Sequence, residues 1–124
     1  MSRIRSKNTK PELIVRKFLY NNGLRYRLHA KDLPGKPDIS NKQKKFAVFV
    51  NGCFWHQHKG CNKSVRPKTN RVFWEKKLDR NIERDYTNRM KLEDENWKVF
   101  IAWECEIKNN LVGVMDRLVF LLRE

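Results

Sequence analysis

The chain lacks any apolar run near the roughly 20 residues that cross a bilayer. Its charged N-terminus also has no apolar stretch of the kind that opens a secretory signal. These two absences predict a cytoplasmic protein with no membrane attachment. Acidic residues are scarce as well: 14 Asp and Glu stand against 28 Lys and Arg, a formal charge of +14 on 124 residues. Self-repulsion on that scale opposes compaction, so the excess implies a polyanionic partner such as nucleic acid. A passive binder and an enzyme would both look this way. Cysteine is limited to three, an odd number in a cytoplasmic setting. That argues against a disulfide framework and leaves buried thiols or a metal site. There are no repeats and no low-complexity tracts. Hydrophobic residues at 40% exclude general disorder, and 124 residues suffice for one domain over 1–124 around one core.

The pattern then divides the chain. Thr9-Lys10-Pro11-Glu12 predicts a helix start, with Thr9 as cap and Pro11 in the first turn. Ile14, Val15, Phe18 and Leu19 keep helical spacing until Asn22-Gly23 ends the run. A short strand is expected over 24–28. The turn cluster Leu33 to Pro37 then leads into an extended Asp38-Ile39-Ser40. Residues Lys45 to Val50 are apolar on both faces, as in a strand from the middle of a covered sheet. Asn51 to Asn70 has no period and reads as a long loop, of a length that is usually functional or tied down. Arg71 to about Asn96 is the longest helical segment, with Trp74, Leu78, Ile82, Tyr86 and Met90 at i+4 steps as its apolar stripe. Val99 to Trp103 is a second buried strand, and Leu111, Met115, Leu118 and Leu122 mark a closing amphipathic helix. The order predicts an α/β fold, a mixed sheet flanked by helices. No surface is left over for an obvious dimer, so a monomer is expected.

Three groups of residues carry chemistry. Cys53, His58 and Cys61 lie close together, and Cys105 follows a predicted strand, so every cysteine joins the set. Thiolate and imidazole suit a closed, structural zinc site, although Cys-x4-His-x2-Cys is not a standard finger spacing. Three buried thiols and a surface histidine would be the alternative. Asp38 leaves its turn just before the 45–50 strand, a placement that suits Mg²⁺ held by few protein oxygens. An acid-x-Lys triplet on the next strand is absent; Val50-Asn51-Gly52 stands in its place. Phe54-Trp55-His56 sets two aromatics before a histidine in a polar loop, either wedges for base pairs beside a general base or a cover over the thiols. Trp74 falls on a core stripe. Glu12 is either a capping-box acid or an inward-facing carboxylate, and Asp85 is either a site acid or a solvated ion-pair partner. Lys63, Arg66, Lys68 and Arg71 form a basic run suited to phosphates. His29 has no partner in the pattern and reads as structural or exposed.

In order and spacing, several blocks resemble the Vsr family of DNA mismatch endonucleases: MSRIRSKNTKPE at 1–12, LPGKPD at 33–38, VFVNGCFWHQH at 48–58, NIERD at 81–85 and VFIAWEC at 99–105. The resemblance covers nearly the whole chain. It implies a restriction-endonuclease-like fold with a structural zinc. The implied reaction is Mg²⁺-dependent nicking on the 5′ side of the thymine in a T·G mismatch. Asp38 and the Val50 carbonyl would hold Mg²⁺, and His56 would activate water. Glu12 and Asp85 match supporting acids. Cys53, His58, Cys61 and Cys105 match zinc ligands. Phe54, Trp55 and Trp74 match aromatic wedges, and Met1 matches a wedge from the other groove. Implied partners are mismatched duplex DNA and, functionally, a cytosine methyltransferase and mismatch repair proteins. Asn51 stands where the family often has a second histidine or an acid, and an amide takes no proton at neutral pH. The chain also opens at Met1, where related proteins carry a basic segment upstream. A related restriction-system nickase indifferent to mismatches, or a zinc-stabilised DNA-binding module weakened in catalysis, would be the alternatives.

Overall fold

The structure, a computed structural model, describes residues 9–123. Met1 therefore lies outside the described residues. Helix α1, Lys10–Asn21, starts as the sequence predicts, with the Thr9 hydroxyl accepting from the Glu12 N–H at 3.4 Å. It ends at Asn22, and Gly23 takes φ +74° to turn the chain. Strands β1 (Arg27–Leu28), β2 (Ile39–Asn41) and β3 (Phe46–Asn51) then form an antiparallel run. A loop with one 3-10 turn at Asn62–Ser64 leads to helix α2, Arg71–Asp94. Strand β4 (Lys98–Trp103) returns parallel to β3, and helices α3 (Glu104–Asn109) and α4 (Leu111–Arg123) follow. The sheet order is β1-β2-β3-β4, a mixed sheet with helices against it.

The core explains the order. Val15 and Leu19 of α1, Ile107 of α3, and Val114, Met115 and Leu118 of α4 pack on Ile39, Phe46, Val48, Phe100 and Ala102 of the sheet. Truncating one of these fully buried leucines to alanine removes about 2–5 kcal/mol of stability. Helix α2 lies against β4 and buries Leu78 and Leu92. With helices on both faces, β3 is apolar on both, as its sequence implies.

Two elements depart from expectation. Strand β1 spans only 27–28, because Leu24 and Tyr26 turn into the core rather than extend the ladder. The i+4 stripe of α2 is not its buried face: Ile82, Tyr86 and Met90 are exposed. Each i+4 step overshoots a full turn, and four of them drift by roughly 160°. The inward face runs instead through Trp74, Leu78, Asn81, Asp85, Asn88 and Leu92, so α2 turns three polar residues toward the body. The short α3 was not anticipated either; it begins directly on β4, and Asn110 separates it from α4 by accepting from the Gly113 N–H at 3.3 Å.

Candidate functional site

A cleft of about 540 Å³ opens where the ends of β2 and β3 meet the start of α1. Asp38, Val50, Asn51, His56, Glu12 and Phe54 are among the residues lining it. Asp38 stands at the mouth of β2, set by the buried Pro37 before it. Its Oδ2 accepts the Val50 N–H at 2.7 Å, which ties the carboxyl to β3. Burial pushes the Asp38 carboxyl up to about 6; the Val50 N–H opposes that rise, the charge of Glu12 adds to it, and His29 and His56 counter it. A carboxyl held up by burial and a neighbouring carboxylate is one that a seated cation would stabilise. The donors are hard oxygens in an open cleft, a set that fits Mg²⁺ with retained waters.

Glu12 is 1% exposed. Its backbone N–H serves the helix cap while its carboxylate faces inward. Arg16 Nη2 donates to Glu12 Oε2 at 2.6 Å, and His29 Nε2 lies 2.8 Å from the same oxygen. The ligand-type atoms of Glu12, His29 and Asp38 all lie within 4.8 Å of one another. His29, read from sequence as structural or exposed, is half-buried and stands against Glu12. No local pattern marks it: the β1–β2 register places it opposite Asp38, whose carbonyl accepts the His29 N–H at 3.0 Å.

Across the cleft, the inward polar face of α2 meets the 51–61 loop. Asp85 Oδ2 is 2.6 Å from His56 Nδ1, so this part-exposed acid pairs with an imidazole of the loop. Asn81 Nδ2 donates to the Trp55 carbonyl at 3.1 Å, pinning the same loop. Asn51, 7% exposed at the end of β3, lies between the two sides. Gly35 closes over the far wall at φ +76°, where an added Cβ would come within 3.0 Å of Asn88 Cβ and of the Phe49 ring. Phe54, Trp55 and Trp74 form one aromatic cluster, with centroids 5.1 to 5.8 Å apart, and Phe73 continues it outward. Trp74 is therefore packed on the loop aromatics rather than in the main core. In the basic run, Lys63 and Lys68 are exposed, whereas Arg66 is engaged by Gln57 at 2.9 Å and Asp79 at 2.8 Å.

The sulfur group assembles beside this cleft. Ligand atoms of Cys53, His58, Cys61 and Cys105 lie within 4.8 Å of one another. His58 Nδ1 is 3.7 Å from Cys53 Sγ and 3.3 Å from Cys105 Sγ. Tetrahedral zinc with ordinary Zn–S and Zn–N bonds needs S···N edges of about 3.5 Å, so the donors fit that ion. Burial pushes the Cys53 thiol up to about 12 and raises Cys105, while the Lys63 N–H lowers Cys61. Thiols raised by burial would lose their protons to solvent when a cation binds the sulfur. The His58 ring stacks on Trp103 at 4.2 Å, and its Nε2 faces Glu106 Oε2 at 3.7 Å. Arg117 in turn holds Glu106 at 3.0 Å.

A basic α/β chain whose strand ends gather a buried carboxyl, an acid-oriented histidine and an aromatic cluster has the build of a nuclease. The sequence profile described as DNA mismatch endonuclease Vsr matches residues 1–63. The chain is 48% identical over its whole length to a type II nicking enzyme of Neisseria meningitidis, covering 87% of that protein. It is 44% identical over 88% of its length to a type II nicking enzyme of Xanthomonas oryzae, covering 79% of it. Over 87% of its length it is 34% identical to the DNA mismatch endonuclease Vsr of Escherichia coli, covering 69% of it. The chain belongs to the Vsr family of DNA endonucleases, and it is a nuclease. Among the described residues no helix is long and apolar enough to cross a membrane.

Proposed function

We propose that this chain nicks duplex DNA on the 5′ side of the thymine in a T·G mismatch, by Mg²⁺-dependent hydrolysis of one phosphodiester. The observation that carries the cutting is His56, which lines the cleft that holds Asp38 while Asp85 Oδ2 stands 2.6 Å from its Nδ1. The mismatch preference rests on the family. Asp85 accepts the Nδ1 proton of His56, leaving Nε2 with a lone pair for the proton of an attacking water. Asp38 and the Val50 carbonyl would hold Mg²⁺, which when bound supplies charge for the phosphate and acidifies water. Glu12 supports the carboxyl side, and Asn51 orients water or phosphate without taking a proton. Phe54, Trp55 and Trp74 would press against the unstacked step beside the mismatch, while Lys63 and Lys68 would meet backbone phosphates. Met1 remains a proposed wedge from the opposite groove. Cys53, His58, Cys61 and Cys105 would hold a structural Zn²⁺ that anchors the loop carrying His56. We read residues 1–124 as one domain of restriction-endonuclease-like fold.

The test is nicking of duplexes carrying each mismatch, with Mg²⁺ and with chelator. T·G cutting should exceed matched cutting, and chelator should abolish both. A second reading, nicking at a recognition sequence without mismatch preference, is favoured by the names of the relatives at 48% and 44% identity. Equal cutting of T·G and matched duplexes would establish it.

A further inference from the structure

We infer that His29 is a positioning residue of the cutting site, holding Glu12 beside Asp38 so that the two carboxylates share one cation environment. The inference rests on the proposed role of Asp38. His29 is the residue on which three elements converge. Its backbone N–H donates to the Asp38 carbonyl at 3.0 Å, which continues the β1–β2 ladder one step past Leu28↔Ile39. Its side chain reaches back to α1, where Nε2 lies 2.8 Å from Glu12 Oε2. A carboxylate oxygen only accepts, so Nε2 carries the proton in this bond. The residue adopts φ +50°, a left-handed conformation that few non-glycine residues take and that histidine tolerates better than most. That conformation stops the strand and swings the ring out of the sheet toward the helix. Strain of this sort persists only where the surroundings hold it, here through both hydrogen bonds.

Glu12 needs such a holder. It is 1% exposed, and a buried carboxylate is stable only when paired and hydrogen-bonded. Arg16 supplies charge from the same helix, one turn away, and so cannot fix Glu12 relative to the sheet. His29 supplies a bond from the sheet, and from the residue directly opposite Asp38. Losing that bond removes this tie between Glu12 and the strand pair that carries Asp38. Misplacement of about 1 Å at a reacting centre lowers rates by as much as 100-fold.

The experiment compares His29→Ala and His29→Gln with the parent, and with Asp38→Asn, on a nickable T·G duplex. His29→Ala should lower kcat by roughly 10- to 100-fold and raise the Mg²⁺ concentration for half-maximal cutting, with KM for DNA unchanged. Calorimetric titration of the protein–DNA complex with Ca²⁺ should show weaker binding in His29→Ala than in the parent. His29→Gln retains an N–H donor of similar reach and should recover most of kcat, Mg²⁺ response and Ca²⁺ affinity. The inference is overturned if His29→Ala keeps the parent's kcat and Mg²⁺ response, or if His29→Gln is as impaired as His29→Ala while remaining folded by circular dichroism. If Asp38→Asn cuts like the parent, the role of Asp38 fails instead; an inactive Asp38→Asn beside an unaffected His29→Ala sinks the His29 inference alone.

Discussion

Two clusters of metal-type ligands sit side by side in this small chain, and they are built in opposite ways. The sulfur cluster is closed: Cys53, His58, Cys61 and Cys105 turn four donors toward one point, with His58 further held between Trp103 and Glu106. The oxygen cleft is open: Asp38 and Glu12 line a volume of about 540 Å³ together with backbone, amide and imidazole. A closed four-donor set is the geometry of a fastener, whereas hard oxygens around open volume leave room for water and phosphate. The two share the 51–61 loop, in which His56 faces Asp85 and His58, two residues on, faces the sulfurs. A zinc held by the first cluster would fasten the loop that carries His56 into the second.

That contrast can be broken from either side. The largest effect should come from Cys105→Ala, which removes a sulfur donor in the first turn of α3, just past β4: zinc content by atomic absorption should fall from about one per chain, and cutting should vanish although no cleft residue has changed. Retention of full activity without zinc would refute the dependence of one cluster on the other. His56→Ala should lower cutting by roughly 10²- to 10⁴-fold with zinc content and DNA affinity intact, so that only the open cluster is damaged. Glu106→Gln should act on the fastener alone, shortening zinc retention against a chelator by roughly tenfold or more, since groups that orient a ligating histidine carry effects of that size. The smallest effect should come from Arg66→Ala: its partners Gln57 and Asp79 stiffen the loop from outside, and loss of such a partly exposed pair lowers stability by about 0.5 kcal/mol in chemical denaturation.

Much of this was legible in the residues themselves. The two-faced apolar run at 45–50, the Thr9 cap and the closing helix follow from local pattern, because burial on both faces or a capped start leaves its mark within a few positions. The face of α2 did not follow. Its apolar i+4 series drifts around the helix and ends in solvent at Tyr86 and Met90, while Asn81 and Asp85 turn inward because they have partners on the loop. Spacing cannot foresee a partner that another element supplies. His29 escaped for the same reason: nothing near it in the chain announces Glu12, and only the pairing of β1 with β2 carries it there. The cysteines were visible as a set, but that Cys105 stands in the first turn of a helix, and that Glu106 and Arg117 brace His58 from it and from α4, required the fold.

The parallel pairing of β3 with β4 has a consequence for how the enzyme is made. Asn51 finds Trp103, and Cys53 finds Cys105, only after the whole of α2 has been synthesised between them. A nascent chain that has emerged as far as Trp97 already carries Asp38, His56 and Asp85, yet it has neither the neighbouring strand nor the fourth member of the sulfur cluster. The pairing strand and Cys105 thus arrive together, late in synthesis, and a chain truncated before Lys98 should fail to cut DNA in a nicking assay.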